Sequence, residues 1–200
     1  MSDTKDRLKH FTGICMVGLA LLVCGVSLPT ASADDNTPPA GFAALFNGKE
    51  LAGWTGKEPN WKVADGVIVY DGKAGDLTTE RKDFRNFILH VDWKIEKGAD
   101  SGIFPRGVAQ VQIWDNIEGS GGLWNQGVKA LKNTDKKIGE WNHFEIAVEN
   151  EFITVMLNGK VVVEKTDKMF AKTKKKEGPI VLQNHGNPLW FKNIYIKELP

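Results

Sequence analysis

Apolar and polar side chains alternate one by one along much of the chain. Phe87, Leu89, Val91, Trp93 and Ile95 are interleaved with Ile88, His90, Asp92 and Lys94. The same period of two returns where Phe144, Ile146 and Val148 alternate with His143, Glu145 and Ala147. This is the period of a strand with one buried face, not of a helix. Val111 and Ile113 likewise alternate with Gln110, Gln112 and Trp114. Asn158-Gly159 separates Phe152–Leu157 from Lys160–Val163, and Ala64-Asp65-Gly66 separates Trp61–Val63 from Val67–Val69. Asn-Gly and Asp-Gly accept positive φ at low cost, so each predicts a hairpin. Pro179–Gln183 and Leu189–Ile196 complete the series, and Thr166–Lys176 is the one stretch with room for a short helix. About ten to twelve short strands joined by Gly, Asn and Asp turns predict an all-β sandwich or barrel. Each half-buried strand then has a polar face, which is either solvent surface or the floor of a cleft.

The first 33 residues break the pattern. Lys5, Arg7 and Lys9 precede an apolar stretch from Phe11 to Leu28, Pro29 interrupts it, and Ala31-Ser32-Ala33 forms an A-x-A site before Asp34. That is the layout of a secretory signal peptide, with cleavage expected after Ala33. The apolar run of about 18 residues is at the lower limit for spanning a bilayer, so no stable membrane insertion is expected once it is removed. The protein is expected to be exported, periplasmic or extracellular. Residues 34–40 are polar and Pro-rich and read as a linker, leaving 41–200 as one domain. Cys15 and Cys24 both lie in the leader, and no small residue precedes Cys24 as a lipid anchor requires. The mature chain therefore has neither disulfide nor thiol chemistry, and its stability must come from its core. Removing the leader's three Lys/Arg and two Asp/Glu from totals of 26 and 25 leaves no net charge, which argues against nucleic acid as a partner. The basic run Lys172–Lys176 reads as a solvated loop.

Several chemistries are excluded by what the chain lacks. There is no His-Glu-x-x-His, no Cys-x-x-Cys, no phosphate loop and no Gly-x-Ser-x-Gly, and Gly119-Ser120-Gly121-Gly122 does not open a helix that would cradle phosphate. The outward positions of the 110–115 segment are two amides and an indole, a set suited to sugar hydroxyls and a sugar ring rather than to the facing carboxyl pair of a plain glycosidase. Further candidates are His90, Asp92 and Lys94 on one strand, Gln183 and His185 at the end of another, and Arg106 after Ser101–Phe104. All seven tryptophans lie in the mature chain; Trp54, Trp61, Trp93, Trp141 and Trp190 fall in apolar patterns or at strand starts, which leaves Trp114 and Trp124 for ligand contact.

An ordered set of short motifs runs through nearly the whole mature chain. It comprises Gly41-Phe42, Leu45–Trp54, Trp61-Lys62-Val63, Asp65-Gly66, Leu77-Thr78-Thr79, Phe84–Lys94 and Asp100–Phe104 with Arg106-Gly107. It continues with Gln110–Asp115, Gly139–Asn142, Leu157-Asn158-Gly159, Gly178-Pro179-Ile180, Leu182-Gln183, His185-Gly186 and Phe191–Ile194. In this order and spacing the chain resembles the 3-keto-disaccharide hydrolase domain family, also described as 3-keto-glucoside 1,2-lyase and 3-keto-2-hydroxy-glucal hydratase. The resemblance implies a concanavalin-like jelly-roll sandwich of two antiparallel sheets with a concave sugar-binding face. It also implies cleavage of 3-keto-glycosides by 1,2-elimination and hydration, with net hydrolysis. Two departures stand out: Asp100 is where many members carry Asn, and Gln110 is where many carry Glu. The chemistry needs a base, an electrophile for the enolate and an acid for the leaving group. Asp92 and His185 are the candidate proton-transfer groups, expected near one sugar. Lys94, Arg106 or a bound divalent cation would stabilise the enolate, and Gln110, Gln112, Gln183, Trp114 and Trp124 would bind the substrate. The alternative is a non-catalytic carbohydrate-binding module using the same face.

Overall fold

The computed structural model describes residues 35–56, 60–73, 75–164, 170 and 174–200. The expected leader and its expected cleavage site lie outside the described residues, as does most of the segment expected to hold a short helix. No helix among the described residues is long and apolar enough to cross a membrane.

Thirteen strands are described. β1 (Ala43–Ala44), β3 (Trp61–Ala64), β4 (Val67–Tyr70), β6 (Phe87–Ile95), β9 (Asn142–Glu149), β10 (Phe152–Leu157), β11 (Lys160–Val163) and β13 (Leu189–Glu198) form an eight-stranded sheet. Its order is β11-β10-β9-β6-β13-β4-β3, with β1 also pairing with β13. β2 (Trp54–Thr55), β5 (Leu77–Thr79), β7 (Asp100–Phe104), β8 (Val111–Trp114) and β12 (Val181–Leu182) form a five-stranded sheet, ordered β2-β5-β12-β7-β8. Every pairing is antiparallel. The fold is the two-sheet antiparallel sandwich that the patterning and the resemblance imply.

The alternation read from β6 is the burial pattern of β6: Phe87, Leu89, Val91, Trp93 and Ile95 are buried and the residues between them are not. They meet Phe144, Ile146 and Val148 of β9 and the inward side chains Ile103, Val111, Ile113 and Leu182 of the smaller sheet in one apolar core. Both expected hairpins form, with positive φ at Asp65 and Gly66 and at Asn158 and Gly159.

Two features depart from expectation. Asp35 and Asn36 do not behave as a linker. Asn36 exchanges hydrogen bonds with Asn193, accepting from its backbone N–H at 3.1 Å and donating its own N–H to Oδ1 at 2.6 Å. The Asn36 amide also donates to the Gly66 carbonyl, and Asp35 pairs with Lys192 at 2.7 Å. A bulge in β13 makes this docking geometrically feasible. Register shifts between Lys192 and Tyr195 and Asn193 takes φ of 51°, which re-aims its side chain as bulges do.

Candidate functional site

The outer face of the five-stranded sheet carries a continuous polar floor. Gly102 of β7 lies opposite Gln112 of β8, and on its other side accepts the Gln183 N–H at 2.8 Å. Gly102 has no side chain, and the space above it is filled by Gln110. A Cβ at position 102 would sit 2.8 Å from Gln110 Cγ. Lying across Gly102, the Gln110 amide donates both hydrogens, one to Gln112 Oε1 and one to Gln183 Oε1, each at 2.9 Å. Gln112 in turn donates to Asp100 Oδ1 at 2.6 Å. The second Asp100 oxygen stands 3.9 Å from His185 Nδ1. Gln110 and Gln112 are buried, and their amide N–H groups find acceptors in Gln112, Gln183 and Asp100, which is the condition for keeping amides out of water. Val111 and Ile113 point the other way, into the core.

His185 is held out at the end of this row by its neighbour. Asn184 receives the Tyr70 hydroxyl and the Gly186 N–H on its side-chain oxygen, and donates its own N–H to Asp76 at 2.8 Å. The imidazole itself is largely exposed.

At the opposite end the floor meets an aromatic corner. Trp114 and Trp124 pack edge to face, with centroids 5.1 Å apart. Asn125 fixes the turn that carries Trp124, accepting the Gln110 N–H and donating to the Val108 carbonyl. Trp114 donates its indole N–H to Gly119. The next residue, Ser120, is gripped by Asp135, which accepts its N–H at 3.0 Å and its hydroxyl at 3.1 Å. Burial raises the Asp135 carboxyl above its ordinary pKa, partly offset by these bonds from Ser120. The corner opens into a cavity of about 240 Å³ lined by Gln112, Trp114, Glu118, Gly122, Trp124 and Lys129 among others. Glu118 and Lys129 form an ion pair within its lining.

Among the residues expected to bind or react, Gln110, Gln112, Gln183, Trp114, Trp124 and His185 are thus brought to one face. Asp92 and Lys94 are not. They project from the outer face of the eight-stranded sheet, with the core between them and His185. The expected grouping of Asp92 and His185 around one sugar is therefore incorrect. Asp92 is engaged there by His143 Nδ1 at 2.6 Å and by the Asn193 amide at 2.7 Å. The Lys94 ammonium lies over Trp190 and Trp141. Arg106 is also displaced from its expected role. It is 1% exposed and donates to the backbone carbonyls of Arg85 and Asn150, with its guanidinium over Phe170. Its φ of 55° turns the side chain away from the path of β7, and inward. Asp100, Glu118, Lys129 and Asp135 were not among the sequence candidates. Asp100 starts a strand, and the other three sit in loops whose folding-back no local pattern signals.

Among the described residues no group of three or more His, Cys, Asp or Glu side chains is placed to hold a metal ion. The floor offers three amides, one carboxylate and one imidazole. That donor set does not make a site for a divalent cation, which prefers clustered carboxylate oxygens.

Comparison with known proteins agrees with this architecture. A 3-keto-disaccharide hydrolase of Bacteroides thetaiotaomicron is 28% identical over 247 residues, covering 86% of this chain and 84% of that protein. Two crystal structures of candidate glycosyl hydrolases from Parabacteroides distasonis superpose on the sandwich. One has a TM-score of 0.70 at 21% identity, over 83% of this chain and 100% of that one. The other has a TM-score of 0.67 at 31% identity, over 80% and 85%. Residues 41–197, spanning both sheets and the whole polar floor, match the family described as the 3-keto-alpha-glucoside-1,2-lyase-like domain, and the chain belongs to that family.

Proposed function

We propose that this protein is exported and cleaves 3-keto-glycosides on the outer face of its five-stranded sheet, by 1,2-elimination followed by hydration. The observation that carries the reading is the hydrogen-bonded row Asp100–Gln112–Gln110–Gln183, with His185 3.9 Å from Asp100 on one side and Trp114 opposite Asp100 on the other, packed on Trp124.

A ketone at C3 makes the C2 proton acidic, because the electron pair left behind is shared with the carbonyl oxygen. His185 takes that proton. Asp100 lies near enough to orient the imidazole as the site closes on a ring, since catalytic hydrogen bonds are often long before substrate binds. The enolate then reforms the ketone and expels the C1 substituent, whose oxygen takes the proton held by His185 and leaves as the alcohol, so that a C1–C2 double bond remains and His185 is again neutral. Water adds its hydroxyl to C1 and a proton to C2, giving the free 3-keto sugar. Lys129 of the adjoining cavity offsets the enolate charge once the substrate draws it from Glu118. The two indoles give the ring an apolar wall, and Gln112 and Gln183, positioned by Gln110, bind its hydroxyls.

Carrying out the reaction in D2O tests the route. Elimination and re-addition place deuterium at C2 of the product faster than the free ketosugar exchanges. Product with no deuterium beyond that background would indicate direct displacement at C1 and contradict the proposal. Binding of the ketosugar with no turnover would instead identify a carbohydrate-binding module, which needs the amides and indoles but no base.

A further inference from the structure

A second concavity lies at the other end of β7. Asp100 begins that strand and Arg106 follows it, so about six residues of largely extended chain, on the order of 20 Å, separate the two regions. The cavity measures about 390 Å³, and its described lining includes Arg85, Arg106, Lys174, Lys175 and Lys176, with Glu151 the acidic side chain among the described residues. The described lining thus carries five cationic side chains and one carboxylate.

The cations are arranged in two layers. Arg106 forms the floor, fixed by the carbonyls of Arg85 and Asn150 and stacked on Phe170. Arg85, Lys174 and Lys176 are exposed on the rim, and none of them forms an ion pair with a described residue. Phe152 also stands on the rim, 52% exposed.

We propose that this cavity binds an acidic glycan, a chain of sugar rings bearing carboxylate or sulfate groups. Clefts lined with one sign of charge concentrate counter-ions. The exposed Phe152 ring suits the C–H face of a sugar between its charged substituents. The cations surround one concavity instead of forming the extended stripe that a nucleic-acid backbone requires. A concave wall also cannot seat the flat surface of a bilayer. The basic run Lys172–Lys176 is therefore a binding wall at its described residues, not only a solvated loop.

The test is titration calorimetry of the protein with polygalacturonate oligomers, beside neutral dextran oligomers, inorganic phosphate, single-stranded DNA and phosphatidylserine vesicles. Polygalacturonate should bind, more weakly as salt rises. The double variant Lys174→Ala/Lys176→Ala should weaken binding about ten-fold, since two rim cations are lost. Phe152→Ala should weaken it without altering the salt dependence. All three positions are exposed, and none belongs to the polar floor, so turnover should be unchanged. The proposal is overturned if the unmodified protein fails to bind polygalacturonate, if dextran binds equally, or if the double variant binds as before. Equal binding of phosphate alone, or preference for DNA or vesicles, would likewise overturn it.

Discussion

His185 and Asp92 separate the two outer faces most sharply. His185→Ala should lower kcat on a 3-keto-glycoside by about 10²–10⁴, the usual contribution of a positioned acid or base. Asp92→Asn should leave kcat within about two-fold, since the residue lies across the core, while weakening its bonds to His143 and Asn193. Losing such a partner costs about 1–3 kcal/mol, so its melting temperature should fall. Parallel kinetics and thermal melts distinguish these outcomes. Gly102→Ala is a second informative change. The new methyl would meet Gln110 Cγ at 2.8 Å and Nε2 at 3.0 Å, driving the amide off Gln112 and Gln183. Overpacking of this kind costs about 1–3 kcal/mol, and KM should rise as the floor is disturbed. That Gln110 and Gln112 share a face with Trp114 was legible from the period of two. That Gln112 meets Asp100 was not, because cross-strand register is set by loops whose lengths carry no such signal.

The strands were legible where local chemistry was unambiguous. β6 announced itself by nine alternating positions, and the hairpins by Asp65-Gly66 and Asn158-Gly159. The bulge at Asn193 and the docking of Asp35 and Asn36 were not legible, since a polar, Pro-rich segment looks like a linker until it meets its partner. This docked segment gives the large sheet a pH dependence. Phe42 packs on the His90 ring at 4.5 Å, and His90 faces Glu145, His143 and Asp92, with the Lys192–Asp35 pair beyond. Burial first, and the nearby His143 second, lower the His90 pKa below its ordinary 6.5, against the pull of Glu145. The unfolded chain then takes up the proton more readily than the folded one. Stability is fully present above about pH 6.5 and is lost as pH falls through the lower folded value. His90→Gln should flatten that part of a plot of melting temperature against pH between 7 and 5; an unchanged slope would assign it to other groups. Burial, with help from Asp92 and Asp35, pushes the neighbouring Tyr195 hydroxyl up to about 12, so it stays neutral throughout this range.

The sandwich as a whole was legible as a class of fold, because the roughly ten to twelve short strands read from the sequence, without a long amphipathic helix, leave few other solutions. Which outer face serves a ligand was not. Asp92 and Gln112 are both outward residues of alternating strands, and only the assignment of β6 to one sheet and β8 to the other places them on opposite sides of the core. The proposal that residues 1–33 are a signal peptide bears on where the molecule works. Intact mass of the exported protein should begin at Asp34, and a mass that retains Met1 would remove the argument for export. The most direct test of the site is a crystal structure of the His185→Ala protein soaked with a 3-keto-glycoside. The ring should lie against Trp114 and Trp124, with hydroxyls within hydrogen-bond distance of Gln112 and its C2 facing the space vacated by His185. A ring bound instead beside Asp92 and Lys94, on the outer face of the eight-stranded sheet, would contradict this account.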